Sequence, residues 1–130
     1  MNFIKIKETC LYIKDLERAR EFYHEILELP LISYVEGKHI FFRAGSSVLL
    51  CFNPDDSKLK TSPPAHYGGG KQHFAFEVSN VDYQSAKAWI TRKGIRITDT
   101  VTWKNNTESF YFEDPEGNVL EIVPEAGIWD

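Results

Sequence analysis

Glu8, His73 and Glu121 are of types that hold metals or move protons, and each stands on an alternating stretch. His73 lies in Lys-Gln-His-Phe-Ala-Phe-Glu-Val, residues 71 to 78, where Phe74, Phe76 and Val78 alternate with His73, Ala75 and Glu77. A period of two is that of a half-buried strand, and the small Ala75 leaves room in front of the imidazole. Glu8 shares a strand face with Cys10 and Tyr12, opposite Thr9, Leu11 and Ile13. Glu121 shares one with Val119 and Val123, opposite Leu120 and Ile122.

Brought together, the two carboxylates would repel, and each would raise the other's pKa unless a cation neutralised them. One imidazole and two carboxylates make a fairly hard, dianionic donor set. Such a set suits Mn(II), Ni(II), Zn(II) or Mg(II), and it differs from the two-histidine, one-carboxylate set of Fe(II) oxygenases. Three protein donors leave positions open for water or substrate oxygens. A cation there can polarise a carbonyl, stabilise an enediolate or alkoxide, or activate a leaving group. Scattered apart, the same side chains are a hydrogen-bonded strand histidine and two solvated carboxylates.

The elements that would carry these residues follow in order. Residues 3 to 13 alternate as a strand. Asp15 is placed to cap a helix, Glu17 favours its first turn, and Leu16, Ala19, Phe22, Tyr23, Ile26 and Leu27 recur at helical spacing up to Pro30. Strands over Leu31–Val35, His39–Arg43 and Val48–Phe52 are separated by Glu-Gly-Lys and Ala-Gly-Ser turns. Residues 53 to 70 are polar, rich in proline and glycine, and have neither period, which reads as a long linker or a lid.

The first order then repeats. After the His73 strand, Ser79 and Asn80 cap a helix with the stripe Val81, Ala86, Trp89 and Ile90, ended by Gly94. Strands over Ile95–Trp103, Ser109–Phe112 and Asn118–Val123 follow, the last two joined by the tight-turn sequence Asp-Pro-Glu-Gly-Asn. The expected organisation is a single domain, 1–130. It holds two strand-helix-three-strand units at 3–53 and 71–124, a connecting segment at 54–70 and a tail at 125–130. The repeat makes Glu8 equivalent to His73, and Leu50 equivalent to Glu121.

Composition narrows the function. With 130 residues, 42% of them hydrophobic, the chain can bury one sizeable core. A net charge of -4 argues against nucleic acid or anionic membrane as the main partner. No apolar run approaches the roughly 18 to 20 residues of a membrane span, and the first residues do not read as a signal peptide. Cys10 and Cys51 have no metal or redox spacing. The expectation is a cytoplasmic protein.

Asp15-Leu-Glu-Arg-Ala-Arg-Glu-Phe-Tyr23, Gln72-His-Phe-Ala-Phe-Glu-Val78 and Phe112-Glu-Asp-Pro-Glu-Gly-Asn-Val-Leu-Glu-Ile122 resemble the vicinal oxygen chelate superfamily. That group includes glyoxalase I, fosfomycin-resistance thiol transferases, extradiol dioxygenases and bleomycin-resistance proteins. The resemblance spans nearly the whole chain. It implies an α+β fold in which two tandem βαβββ units form a curled mixed sheet around a cleft, with helices outside. It implies metal ligands at Glu8, His73 and Glu121, with Leu50 where glyoxalase I usually carries a fourth ligand, a glutamate. The implied activity is that of a metal-dependent lyase, isomerase or thiol transferase acting on a small oxygenated molecule. Glu121 is the first candidate base and Glu8 the second. Tyr12, Arg43, Leu50, Trp103 and Tyr111 are candidate substrate-binding residues, with His39, Phe41 and Phe52 as further wall. A thiol cosubstrate has no readable motif. A homodimer is implied, with Glu8 and the His73–Glu121 pair drawn from one chain or from two. Two other branches of the family supply alternatives: a protein that sequesters a small molecule without turnover, and a dioxygenase, for which the second histidine is missing.

Overall fold

The computed structural model describes residues 1–129; the last residue of the expected tail, Asp130, lies outside them. The chain divides into two compact units, Met1–Gly70 and Lys71–Asp130. Each is built on a four-stranded mixed sheet, so the architecture is the expected α+β one of two βαβββ-like units.

In the first unit β1 (Glu8–Tyr12) runs into α1, helical from Leu16 to Ala19 and continued as a π-helix over Arg20–Ile26. The strands β2 (Leu31–Val35), β3 (His39–Ala44) and β4 (Ser47–Phe52) complete the sheet in the order β1-β4-β3-β2. The Asp15 side chain accepts from the Arg18 amide, as a capping residue should. The helix buries Leu16, Ala19, Phe22, Tyr23 and Leu27 against the sheet face that carries Leu11, Ile40, Phe42, Leu49 and Cys51. The two-residue turn between Ala44 and Ser47 needs Gly45 at φ +60°, a conformation most side chains resist.

Residues 54 to 70 are less of a free linker than their composition suggests. They begin with a one-turn helix, α2 (Pro54–Ser57), capped by the Asn53 side chain. The fully buried Ser57 hydroxyl then donates to the His66 carbonyl at 2.6 Å, tying the later part of the segment to the first unit.

In the second unit β5 (His73–Val78) leads through a 3-10 turn, Asn80–Asp82, to α3 (Tyr83–Arg92). The strands β6 (Asp99–Thr102), β7 (Glu108–Glu113) and β8 (Val119–Pro124) give the order β5-β8-β7-β6. Two expectations are corrected here. The helix buries Tyr83 and Ile90, whereas Val81 is 88% exposed, because it falls in the 3-10 turn and not on the helical stripe. The strand expected from Ile95 begins at Asp99. Its first residues instead close the helix, the Ile95 amide donating to the Ile90 carbonyl. The tail is anchored to this unit: Glu125 donates to the Val78 carbonyl, and Ala126 to the Asn80 side chain.

Phe110, Phe112, Leu120 and Ile122 form the buried centre of the second unit, while Phe74, Phe76 and Val78 are only half buried. β5 is an edge strand, so its apolar face is covered less completely than those of β7 and β8. No helix among the described residues is long and apolar enough to cross a membrane.

Candidate metal centre

Strand register decides which side chains share a face. In the second unit His73 pairs with Val119, and Ala75 with Glu121, which in turn pairs with Tyr111. His73, Ala75, Glu121 and Tyr111 therefore project from the same side of the sheet, opposite the phenylalanine core. In the first unit the equivalent pairs are Glu8 with Val48, and Cys10 with Leu50, which pairs with Phe41. Glu8 thus occupies in its sheet the position of His73, and Leu50 that of Glu121.

The geometry around His73 is specific. Its Nδ1 lies 2.8 Å from the Val119 carbonyl oxygen, which can only accept, so Nδ1 carries a proton. Its Nε2 faces Glu121 Oε1 at 3.4 Å, longer than the roughly 2.7–2.9 Å of a direct charge-assisted bond. The Glu121 side chain is 5% exposed and that of His73 is 50% exposed. Among the described residues Oε2 of Glu121 is buried with no hydrogen-bond partner. A buried carboxylate oxygen without a donor is costly. A neutral imidazole with its lone pair turned toward a carboxylate is also unfavourable unless a cation lies between them.

Both features fit a divalent metal, for which the imidazole nitrogen and carboxylate oxygens are donors and the Val119 carbonyl orients the ring. Glu8 lies in the first unit and is exposed. Among the described residues no group of three or more His, Cys, Asp or Glu side chains is placed to hold a metal ion.

The other candidate residues divide between the units. In the second, the Tyr111 ring lies 6.0 Å from the His73 ring, and burial together with the Glu121 charge raises its pKa, so the phenol stays protonated. The half-buried Trp103 donates from Nε1 to the Ser109 hydroxyl at 2.9 Å, a bond that fixes the indole beside β7. In the first unit Leu50 is half buried and Arg43 exposed. Phe41 stacks on His39 with 4.0 Å between ring centroids, and meets Phe52 edge-on at 5.3 Å.

His66, which composition alone leaves in a structureless loop, joins this cluster. Its Nδ1 is 2.8 Å from the Tyr12 hydroxyl, and its ring meets Phe52 edge-on at 4.6 Å. Nothing in the local pattern of residues 53 to 70 signals this, because the contact is made by a single side chain outside any repeating element.

Burial, aided by the Lys60 ammonium, lowers the pKa of His39. A histidine that binds its proton less well folded than unfolded contributes stability that is complete above the unfolded value of about 6.5 and declines as the pH falls below it. We expect the wild type to lose stability on acidification through that window more steeply than His39→Gln. Parallel slopes in urea titrations across the pH range would contradict this.

Comparison with known proteins agrees with the architecture. A family profile described as Glyoxalase/Bleomycin resistance protein/Dioxygenase superfamily matches residues 5–122. The chain is 28% identical over 125 residues to the glutathione transferase FosA of Serratia marcescens, covering 90% of this chain and 78% of that protein. The structure is similar to that of a lactoylglutathione lyase from Agrobacterium tumefaciens, with a TM-score of 0.91, 29% identity and 96% of each chain covered. It also resembles a glyoxalase/bleomycin resistance protein/dioxygenase from Nocardioides, with a TM-score of 0.74, 25% identity, and coverage of 98% of this chain and 88% of that one. With the profile spanning nearly the whole chain, and both βαβββ-like units in place, the protein belongs to the Glyoxalase/Bleomycin resistance protein/Dioxygenase superfamily.

Proposed function

We propose that this protein is a metal-dependent enzyme of the glyoxalase type, working as a lyase, isomerase or thiol transferase on a small oxygenated molecule. One observation carries the reading: His73 Nε2 and Glu121 Oε1 face each other at 3.4 Å beside a buried carboxylate oxygen without a donor. Glu8 is the third ligand we assign, since its register in the first unit is that of His73 in the second. A homodimer would supply Glu8 from the same chain or from its partner. A bound Mn(II), Ni(II), Zn(II) or Mg(II) would supply Lewis acidity toward a substrate oxygen.

The chain's own residues do the rest. Glu121, and after it Glu8, accepts the proton beside the substrate carbonyl. The protonated Tyr111 hydroxyl donates to a substrate oxygen. Tyr12, Leu50 and Trp103 bound the substrate, and Arg43 pairs with an anionic group on it. The names of both the transferase and the lyase relative include glutathione, so a glutathione-type thiol or its adduct is the first cosubstrate class to test.

Elemental analysis of protein purified without chelator tests the reading, run beside Glu8→Ala and His73→Ala. We expect one divalent metal per chain in the wild type and a loss of at least about tenfold in affinity in each variant. No metal in the wild type after incubation with all four ions would overturn it. That outcome would favour a protein that sequesters an apolar compound, a reading that the half-buried cluster of Tyr12, Phe41, Leu50 and Phe52 supports.

A further inference from the structure

We infer that the turn from Asp114 to Asn118 positions His73: the Asn118 carboxamide locks the start of β5, so that the ring keeps its Nδ1 proton on Val119 and presents Nε2 as the bare nitrogen. The inference rests on the metal reading above and deepens it.

A turn joining two antiparallel strands needs only bonds within itself, and this one has them. The Asp114 and Asn118 backbones pair at 3.1 Å, and the Gly117 amide donates to the Asp114 carbonyl at 3.0 Å. Gly117, at φ +83°, supplies a backbone state that other residues adopt at a cost. Asp114 Oδ1 accepts the amides of Glu116 and Asn118 at 3.0 and 2.9 Å. None of these bonds leaves the turn.

The Asn118 side chain does leave it. Its Nδ2 donates to Asp114 Oδ2 at 2.9 Å, and its Oδ1 accepts the Gln72 backbone amide at 3.0 Å. These partners settle which end of the carboxamide is which. The reversed orientation would set oxygen against carboxylate and NH2 against N–H, losing both bonds. Asn118 is 1% exposed and Asp114 5% exposed, so water does not substitute for either partner.

Asn118 therefore reaches across 46 residues to the edge strand, immediately before the histidine. The Val119 amide closes the clamp by donating to the Gln72 carbonyl at 2.7 Å. The next carbonyl along, that of Val119, is the one that receives Nδ1–H of His73 at 2.8 Å. Three bonds thus link Gln72 and His73, at the start of β5, to residues 118 and 119. Two of them hold the backbone and the third holds the ring. Asn118 would touch neither metal nor substrate. Its role is to keep one tautomer and one ring direction on a side chain that is half exposed and would otherwise sample others.

The test uses two variants. Asn118→Ala removes the clamp. Gln72→Pro removes the amide that Asn118 accepts, together with the Gln72 side chain, while leaving the turn's own bonds intact, and proline is tolerated where an edge strand begins. The readout that a purely structural role would not move is the imidazole 15N spectrum of His73 in metal-free protein at about pH 8, where an ordinary imidazole is neutral. Metal affinity is measured alongside.

We expect Nδ1 protonated throughout in the wild type, on the Val119 carbonyl, and a mixture of protonated and bare Nδ1 in both variants. The mixture should come with an affinity loss of about 10- to 100-fold and a native-like amide spectrum. Folded variants that retain one tautomer and bind metal within about threefold of wild type would overturn the inference, since lost outer support should cost more than that. So would unfolding of both variants, which would make the turn a folding element. If Asn118→Ala alone fails to fold, Gln72→Pro decides. If the wild type binds no metal, the proposed activity fails, while the tautomer comparison still decides the role of Asn118.

Discussion

In the presence of chelator, Glu121→Leu should be more stable than the wild type by about 1–3 kcal/mol, while losing divalent metal binding altogether. The wild-type carboxylate is buried and one of its oxygens has no donor among the described residues. Without a cation the fold carries a desolvated charge that the Tyr111 hydroxyl and His73, at 3.4 Å, offset only in part. Leucine has nearly the same size and no such penalty. The chain already uses that solution: Leu50 stands at the matching position in the first unit, beside Cys10 as Glu121 stands beside Ala75. The half-exposed His73 would keep its bond to the Val119 carbonyl and offer Nε2 to water.

Urea titrations in chelator measure the difference. Added metal should reverse the order, because a ligand bound only by the folded state stabilises by RT ln(1 + [L]/Kd), about 2.7 kcal/mol at a hundredfold excess over Kd. If Glu121→Leu proves the less stable protein in chelator, the carboxylate supports the metal-free fold through its polar neighbours Tyr111 and His73. The case for a cation in this place would then be lost.

Phe110→Ala should cost about 3–5 kcal/mol of stability. Phe110 is fully buried on the face of β7 opposite Tyr111, pairs with Ile122 across the ladder, and lies 5.7 Å from the Tyr83 ring and 6.2 Å from that of Phe112. Truncation forfeits the transfer of a whole ring from water. It also leaves a gap between α3 and the sheet that the neighbouring rings cannot fill without leaving their rotamers. The expected signature is a lower urea midpoint with an unchanged slope. A loss under about 1 kcal/mol would show that the layer can collapse onto the gap, and that the site face does not depend on tight packing beneath it. The result bears on function because β7 and β8 carry Tyr111 and Glu121 on their other side.

Much of this arrangement is legible without coordinates. The alternation of His73, Ala75 and Glu77 with Phe74, Phe76 and Val78 assigns faces, because a strand's period of two is a property of its own backbone. Asp15 caps its helix for an equally local reason: a short acidic side chain beside free amides. The repeat, read from order alone, matches Glu8 with His73 and Leu50 with Glu121, and the ladders place these residues at equivalent registers. Val81, the late start of β6 and the anchoring of His66 were not legible in this way. Each depends on which partner a segment finds, and a neighbouring partner can override a local pattern.

The residues that could form a metal site, and the faces they occupy, were determined by the sequence on its own, through residue type and local periodicity. The direction of the His73 ring, the burial of Glu121 and the link from Asn118 to Gln72 were decided by the tertiary structure. The bonds involved join residues 46 positions apart, and the orientation of a side chain depends on acceptors and cover that only the folded chain brings to it.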